Sequence, residues 1–151
     1  VPAQVVTLSP SGSQDLSAHW LAAQGKLALH FEVDRALSWS LNLSNDAGDH
    51  LVIGFDAAAN HYLIDRRDAG LSAFHPPFAR RQTGARPSTD AARGAVALVL
   101  DATSVELFAE DGVVTMTSLF FPRAPWQRAT LNWHAPTALS QLRVHAWPDQ
   151  G

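Results

Sequence analysis

The segment DATSVELFAEDGVVTMTSLFFP (residues 101–122) carries the strongest structural signal in this 151-residue chain. Its two arms alternate apolar and polar residues around Asp111-Gly112, a dipeptide that favours a two-residue hairpin turn. A turn of that length fixes the register of the two strands. The predicted pairs, in which the residues lie directly opposite one another, are Phe108 with Thr115, Leu107 with Met116, Glu106 with Thr117, and Val105 with Ser118.

This register divides the hairpin into a core face and an outer face, because successive side chains of a strand point to opposite sides. The predicted core face consists of Val105, Leu107, Ala109, Val114 and Met116. The outer face carries Glu106, Phe108, Thr115 and Thr117. A glutamate on an outer face serves as a solvated charge, as the partner of an arginine or as a ligand contact, and all three roles stay open for Glu106.

Other segments show the same period of two, and no segment shows a comparable helical pattern. The predicted strands, which are separated by turn-forming residues, lie at 27–33, 37–43, 51–55, 61–65, 95–100, 131–133 and 142–147. Such spacing suits an antiparallel sandwich. We therefore predict an all-β fold, a β-sandwich of two antiparallel sheets of the jelly-roll or concanavalin type. It forms a single domain over residues 1–151, with Trp39 and Trp133 in its core.

The longest irregular segment covers about residues 70–94. Three prolines exclude a central strand from it, since proline donates no ladder hydrogen bond; they are Pro76, Pro77 and Pro87. Six of the ten arginines lie between residues 66 and 93. A loop of this length in a compact domain is usually functional or disordered. A solvated loop and a binding loop are both compatible with this composition.

Composition excludes several classes of function. The chain is 46% hydrophobic and 17% charged, as in an ordinary globular domain, and no apolar stretch approaches the length of a membrane helix. Its net charge of −3 gives no general attraction for nucleic acid or an anionic membrane. The absence of cysteine excludes disulfides and a thiol nucleophile. We therefore expect neither a nucleic-acid partner nor a membrane partner.

No pattern of metal ligands is convincing. The seven histidines never occur four residues apart on a plausible helix. The segment SNDAGDH (44–50) offers Asn45, Asp46 and Asp49 as oxygen ligands for calcium, but it lacks EF-hand spacing and is better interpreted as a hairpin turn. We expect no metal and no cofactor.

The opening hairpin resembles the C-terminal β-sandwich domain of glycoside hydrolase family 32, the levanases, inulinases and invertases. The matching residues follow the pattern D-x-x-S-V-E-x-F-x-x-x-G-x-x-x-x-T-x-x-x-F-P; they are Asp101, Ser104, Val105, Glu106, Phe108, Gly112, Thr117, Phe121 and Pro122. Many members have arginine after the aspartate, where this chain has Ala102. That difference leaves the subfamily open.

A second motif agrees in order and separation. IGFDAAANHYLIDRRDAGLSAFHPPFA (53–79) is similar to the family's strand that ends in Asp-Arg and is followed by a glycine and two phenylalanines. The corresponding residues are Asp65, Arg66, Gly70, Phe74 and Phe78. The resemblance covers about residues 26–147.

The resemblance implies that catalysis belongs elsewhere. Family 32 enzymes place their aspartate nucleophile and glutamate acid on a five-bladed propeller, in motifs similar to N-D-P-N-G and E-C. Neither motif occurs in this chain, and 151 residues leave no room for a propeller beside the sandwich. We predict that this chain alone is not an enzyme.

Two non-catalytic interpretations remain. The sandwich stabilises a catalytic propeller, packing on it through apolar residues such as Phe120, Phe121, Pro122 and Trp126. Alternatively it binds terminal fructosyl units of levan- or inulin-type fructans, as carbohydrate-binding module family 66, which is similar to this domain, does. The implied ligand-binding residues are Asp65, Arg66, Arg67, Phe74, His75, Glu106 and Glu32. For Arg66 and Arg67 the alternative is a structural ion pair with Asp68 or Glu106. The resemblance also implies an extracellular or periplasmic location, because polymeric fructans are degraded outside the cytoplasm.

Overall fold

The computed structural model describes residues 3–70, 81–89, 91–133 and 139–147. These residues form twelve strands and one short α-helix. In chain order the elements are β1 (Gln4–Val5), β2 (Ser13–Asp15), α1 (Ser17–Ala22), β3 (Leu27–Asp34), β4 (Trp39–Ser44), β5 (His50–Asp56), β6 (His61–Asp65), β7 (Arg81–Ala85), β8 (Arg93–Leu100), β9 (Ser104–Ala109), β10 (Val114–Leu119), β11 (Arg128–Trp133) and β12 (Leu139–Ala146).

The strands form two antiparallel sheets of six strands each. The first sheet has the order β1-β12-β3-β8-β9-β10, and the second has the order β2-β11-β4-β5-β6-β7. Their apolar inner faces form one core, in which Phe31 of the first sheet meets Trp39 of the second edge to face at 5.0 Å. The predicted all-β sandwich is confirmed. Within the described ranges, no helix has the length and apolar character needed to cross a membrane.

The predicted hairpin is correct in register and in turn. All four predicted residue pairs between β9 and β10 are present. Asp111 has φ 55° and ψ 35°, and Gly112 has φ 90°, so both central residues have the positive φ of a type I′ turn. The Val113 amide donates to the Glu110 carbonyl at 3.1 Å and closes the turn. Glu106, Thr115 and Thr117 are exposed, as the predicted faces require.

Two local elements were not predicted. No segment showed a clear helical pattern, yet Ser17–Ala22 forms a short helix from which Trp20 is buried in the core. The predicted loop at 70–94 contains the strand Arg81–Ala85, which pairs with β6 at the edge of the second sheet. This strand lacks alternating apolar residues, since an edge strand is held largely by backbone hydrogen bonds. Because Arg81–Ala85 lies at the edge of its sheet, it agrees with the prediction that the prolines exclude a central strand from this segment.

The proposed propeller-facing surface also needs correction. Phe120 and Trp126 were expected to be exposed, but each is only 2% exposed and their rings meet at 5.8 Å. The indole nitrogen of Trp20 donates to the Trp126 carbonyl at 2.8 Å, which ties this segment to the helix. Of the four residues named for that surface, Phe121 is exposed and Pro122 is partly buried.

The segment 44–50 is the hairpin turn between β4 and β5, as predicted. The Asp49 carboxylate is buried and accepts hydrogen bonds from the Arg123 amide at 2.6 Å and from the Asn45 side chain at 3.1 Å. Its pKa is lowered: burial alone would raise it, but hydrogen bonds from Arg123 and Asn45 outweigh that effect. The carboxylate that the sequence offered to calcium is thus engaged with Arg123.

Candidate functional site

The end of β6 carries an exposed arginine–carboxylate pair. Arg67 donates two hydrogen bonds to Asp65, from Nε at 2.9 Å and from Nη2 at 2.6 Å. The Arg67 side chain is 59% exposed and the Asp65 side chain 20%. The hydrogen bond with Asp65 raises the pKa of Arg67. Two parallel bonds hold the guanidinium in a fixed orientation at the surface.

The neighbouring residues join the two family-like motifs to each other. Arg66 donates from Nη1 to the Leu119 carbonyl at 2.7 Å. Gly70 has φ 126° and lies against the backbone of Phe121 and Pro122, where a Cβ atom would stand 2.1 Å from the Phe121 oxygen. Only glycine fits that position. The segment after β6 is therefore anchored on the segment after β10, and Arg66 makes a structural contact with a backbone carbonyl.

Three predicted contacts cannot be placed. Phe74 and His75, and the motif residue Phe78, lie outside the described residues. Their relation to the Asp65–Arg67 pair stays a prediction.

The two predicted glutamates lie elsewhere. Glu106 on β9 and Glu32 on β3 both point from the outer face of the first sheet. Asp65 points from the outer face of the second sheet, where it is paired with Val52. Because these faces are on opposite sides of the sandwich, the structure does not place Glu106 and Glu32 beside Asp65.

Glu32 instead lines a groove of about 340 Å³ on the outer face of the first sheet. Polar and aromatic side chains from three strands and the hairpin turn surround it: His30, Glu32, Phe108, Asp111, Gln141 and Arg143. Sequence analysis named only Glu32 as a site residue among these. The others come together through pairing between strands far apart in the chain.

Sequence analysis also missed a buried polar cluster between the sheets. Arg35 donates from Nε to Glu110 Oε2 at 2.7 Å, and the Tyr62 hydroxyl donates to Glu110 Oε1 at 2.7 Å. Arg35 further donates to the carbonyls of Ala91 and Pro87, each at 3.0 Å. Burial and the hydrogen bond to Glu110 raise the pKa of Tyr62. We call Arg35, Tyr62 and Glu110 the intersheet clasp.

Arg86 extends the clasp toward the second sheet. Its guanidinium lies 4.7 Å from the centre of the Phe55 ring, and its Nη1 donates to the Arg35 carbonyl. Glu110 adopts φ 54°, and its side chain lies in the clasp. The only sequence signal was a charged residue directly before a tight turn, which by itself predicts solvent exposure.

Comparison with known proteins gives a consistent result. The family model described as "Glycosyl hydrolases family 32 C terminal" matches residues 3–148. Comparison with curated protein sequences produced no match.

Several solved structures share this fold, and three of them are enzymes that act on fructosyl substrates by name. An exo-inulinase from Aspergillus awamori matches with TM-score 0.66 and 19% identity, over 95% of this chain and 28% of that chain. A fructofuranosidase from Schwanniomyces occidentalis, complexed with fructosylnystose, matches with TM-score 0.67 and 15% identity, over 93% of this chain and 31% of that one. A sucrose-6-phosphate hydrolase from Lactobacillus gasseri matches with TM-score 0.60 and 23% identity, over 80% and 24%.

The chain thus spans about a quarter to a third of the length of these structures. In family 32 enzymes the catalytic module is the separate N-terminal propeller, and the C-terminal sandwich accompanies it. The resemblance predicted from the two motifs is confirmed by the family match over nearly the whole chain. This chain belongs to the C-terminal domain family of the family 32 glycosyl hydrolases, the non-catalytic accessory domain of those enzymes.

Proposed function

We propose that this chain is the accessory module of a fructan-degrading enzyme and that it binds terminal fructosyl units of levan- or inulin-type fructans. Family membership supports the first half of this proposal. The structural neighbours support it as well, since one is an exo-inulinase and another is a fructofuranosidase complexed with fructosylnystose.

The observation that carries the binding half is the exposed Asp65–Arg67 pair. Its planar guanidinium is fixed by two hydrogen bonds and is 59% exposed. Two of the five guanidinium N–H donors bond to Asp65, and the other three, beside the remaining lone pairs of the carboxylate, suit two adjacent hydroxyl groups of a sugar. Holding the guanidinium in place before the ligand arrives reduces the entropy lost on binding.

A scaffold role is the second candidate, and a specific observation favours it. Arg66 and Gly70, which belong to one motif, contact Leu119, Phe121 and Pro122 of the segment that ends the other. Leu119 and Phe121 are 49% and 37% exposed. In this alternative the motifs build a firm surface on which a catalytic propeller packs, and this apolar pair contributes to the contact.

Isothermal titration calorimetry of the chain with levan, inulin, fructose and a glucan separates the two candidates. The binding proposal predicts heat with levan or inulin and none with the glucan. No heat with any fructan would contradict the binding proposal and leave the scaffold role. The same proposal implies that the parent enzyme acts outside the cytoplasm, in the extracellular space or the periplasm, where polymeric fructans are found.

A further inference from the structure

The groove on the outer face of the first sheet owes its depth to small residues. Ala95 and Ala97 on β8 lie between β3 and β9, with Glu32 opposite Ala95 on one side and Phe108 opposite Ala97 on the other. Two methyl groups between longer side chains leave a trough along the sheet. Phe108 is only partly buried, and its ring lines the trough.

The polar wall of the groove depends on a β-bulge in β12. The register against β3 shifts between Ser140 and Arg143, so that one extra residue is present on β12. Leu142 is fully buried in the core, while Gln141 and Arg143 both line the groove. Bulges recur beside binding sites because they redirect side chains.

Gln141 is held in an unfavourable backbone conformation. Its φ is 56°, in the left-handed region that disfavours residues other than glycine. Glycine at this position would relieve that strain but would remove the side-chain amide that lines the groove. Strain of this kind concentrates at binding sites, where the side chain is required.

His30 completes the wall from β3. Its ring stacks on His145 with 5.3 Å between centroids and 11° between planes. Burial, with help from the neighbouring charges of His145 and Arg143, lowers the pKa of His30. A neutral imidazole offers one hydrogen-bond donor and one acceptor. Glu32 and Arg143 add a carboxylate and a guanidinium of opposite charge.

The far rim is the Asp111-Gly112 turn, and the intersheet clasp holds it. Glu110, directly before the turn, is bonded to both Arg35 and Tyr62. The rim is therefore fixed by a buried cluster, as a preorganised site requires.

From this arrangement we infer that the groove is a second ligand site, which binds a neutral saccharide of one or two rings. The carboxylates of Glu32 and Asp111, the guanidinium of Arg143 and the amide of Gln141 supply acceptors and donors that suit hydroxyl groups, and the Phe108 ring suits the C–H face of a sugar. A volume of about 340 Å³ lies at the small end of the range of roughly 300–1,000 Å³ for ligand pockets. The groove lies on the opposite face from Asp65 and Arg67, so the inference of a ligand site there does not depend on whether that pair binds fructan.

The test is a titration of the ¹⁵N-labelled chain, followed by amide chemical shifts, with the fructosyl trisaccharide 1-kestose and separately with maltotriose. We expect one or both sugars to shift the amides of Glu32, Phe108 and Gln141. Shifts confined to Asp65–Arg67 would support the function proposed above and overturn the groove site. Shifts confined to the groove would support the groove site and contradict fructan binding by Asp65 and Arg67. Shifts at neither place would contradict both proposals.

A matched pair of variants tests the role of Gln141. Gln141→Gly removes the side-chain amide at φ 56°, and Gln24→Gly makes the same change at φ 55° in the exposed turn after α1. Both variants should unfold near the wild-type midpoint or above it, because relief of the left-handed conformation offsets the extra freedom of glycine in the unfolded chain. Gln141→Gly should bind the sugar about tenfold more weakly, while Gln24→Gly binds like the wild type. Equal affinity of the two variants would overturn the groove assignment.

Discussion

Two arginine–carboxylate pairs in this chain have similar geometry and opposite surroundings. Arg35 and Glu110 are 2.7 Å apart, with side chains 8% and 6% exposed. Arg67 and Asp65 are 2.6 Å apart, with side chains 59% and 20% exposed. Distance does not distinguish the pairs, whereas burial does.

Burial determines what each pair contributes. Removing one partner of a buried pair leaves an uncompensated charge in a region of low dielectric constant, which is strongly destabilising. An exposed pair gains little, because water solvates either partner after the other is lost. We therefore assign Arg35 and Glu110 to the stability of the sandwich, whereas ligand contact by Arg67 and Asp65 is the role we propose for the exposed pair.

The largest effect is expected from Glu110→Gln. This change keeps the size of the side chain but leaves the Arg35 charge without its partner, so the free energy of unfolding should fall by about 3–5 kcal/mol. Chemical denaturation measures it. The control is Glu106→Gln, an exposed glutamate four residues earlier, which should change the free energy very little. Equal, small changes in both variants would mean that the clasp does not stabilise the fold.

Gly70→Ala tests whether the exposed pair stands on a rigid base. A new Cβ would clash with the Phe121 carbonyl and require φ 126°, so we expect a loss of about 2–4 kcal/mol. Gly112→Ala is the matched control, since its Cβ would meet nothing within 4 Å and only φ 90° opposes it. That variant should lose about 1–2 kcal/mol, as for a left-handed residue. If Gly70→Ala proved the milder change, the contact between the two motifs would be loose in solution.

A third pair, Arg123 with Asp49, is intermediate, with the guanidinium 53% exposed and the carboxylate 1% exposed. Because the pKa of Asp49 is lowered from its ordinary 3.8, its stabilisation is complete above about pH 4 and is lost as the pH falls further. Unfolding midpoints measured between neutral pH and pH 3 should therefore fall less steeply in Asp49→Asn than in the wild type. Parallel curves would show that Asp49 is not a source of the acid sensitivity.

Much of the fold could be predicted from local signals. Asp111-Gly112 determined the register of a whole hairpin, and alternation placed Leu107 and Met116 inside. The edge strand Arg81–Ala85 was missed because its pairing is made by backbone atoms, which leave no side-chain pattern. Trp126 was misplaced because flanking Pro125 indicates a loop, and loops are usually exposed.

The candidate sites were less predictable, because they depend on contacts between distant residues. Arg35 lies 75 residues from Glu110 in the sequence, and no local pattern links them. Glu106 and Asp65 were grouped through motifs, but strand order places them on opposite faces of the sandwich. Gln141 shows no anomaly until its φ is known.

The central claim is that the exposed pair serves binding and the buried clasp serves stability. The most direct measurement is the affinity of Arg67→Ala for levan by calorimetry, beside its unfolding midpoint. Arg128→Ala is the matched control, since Arg128 is 49% exposed and pairs with the exposed Asp46. We predict that Arg67→Ala loses its affinity at an unchanged midpoint, while Arg128→Ala keeps both. Unchanged levan affinity in a folded Arg67→Ala chain would contradict the claim.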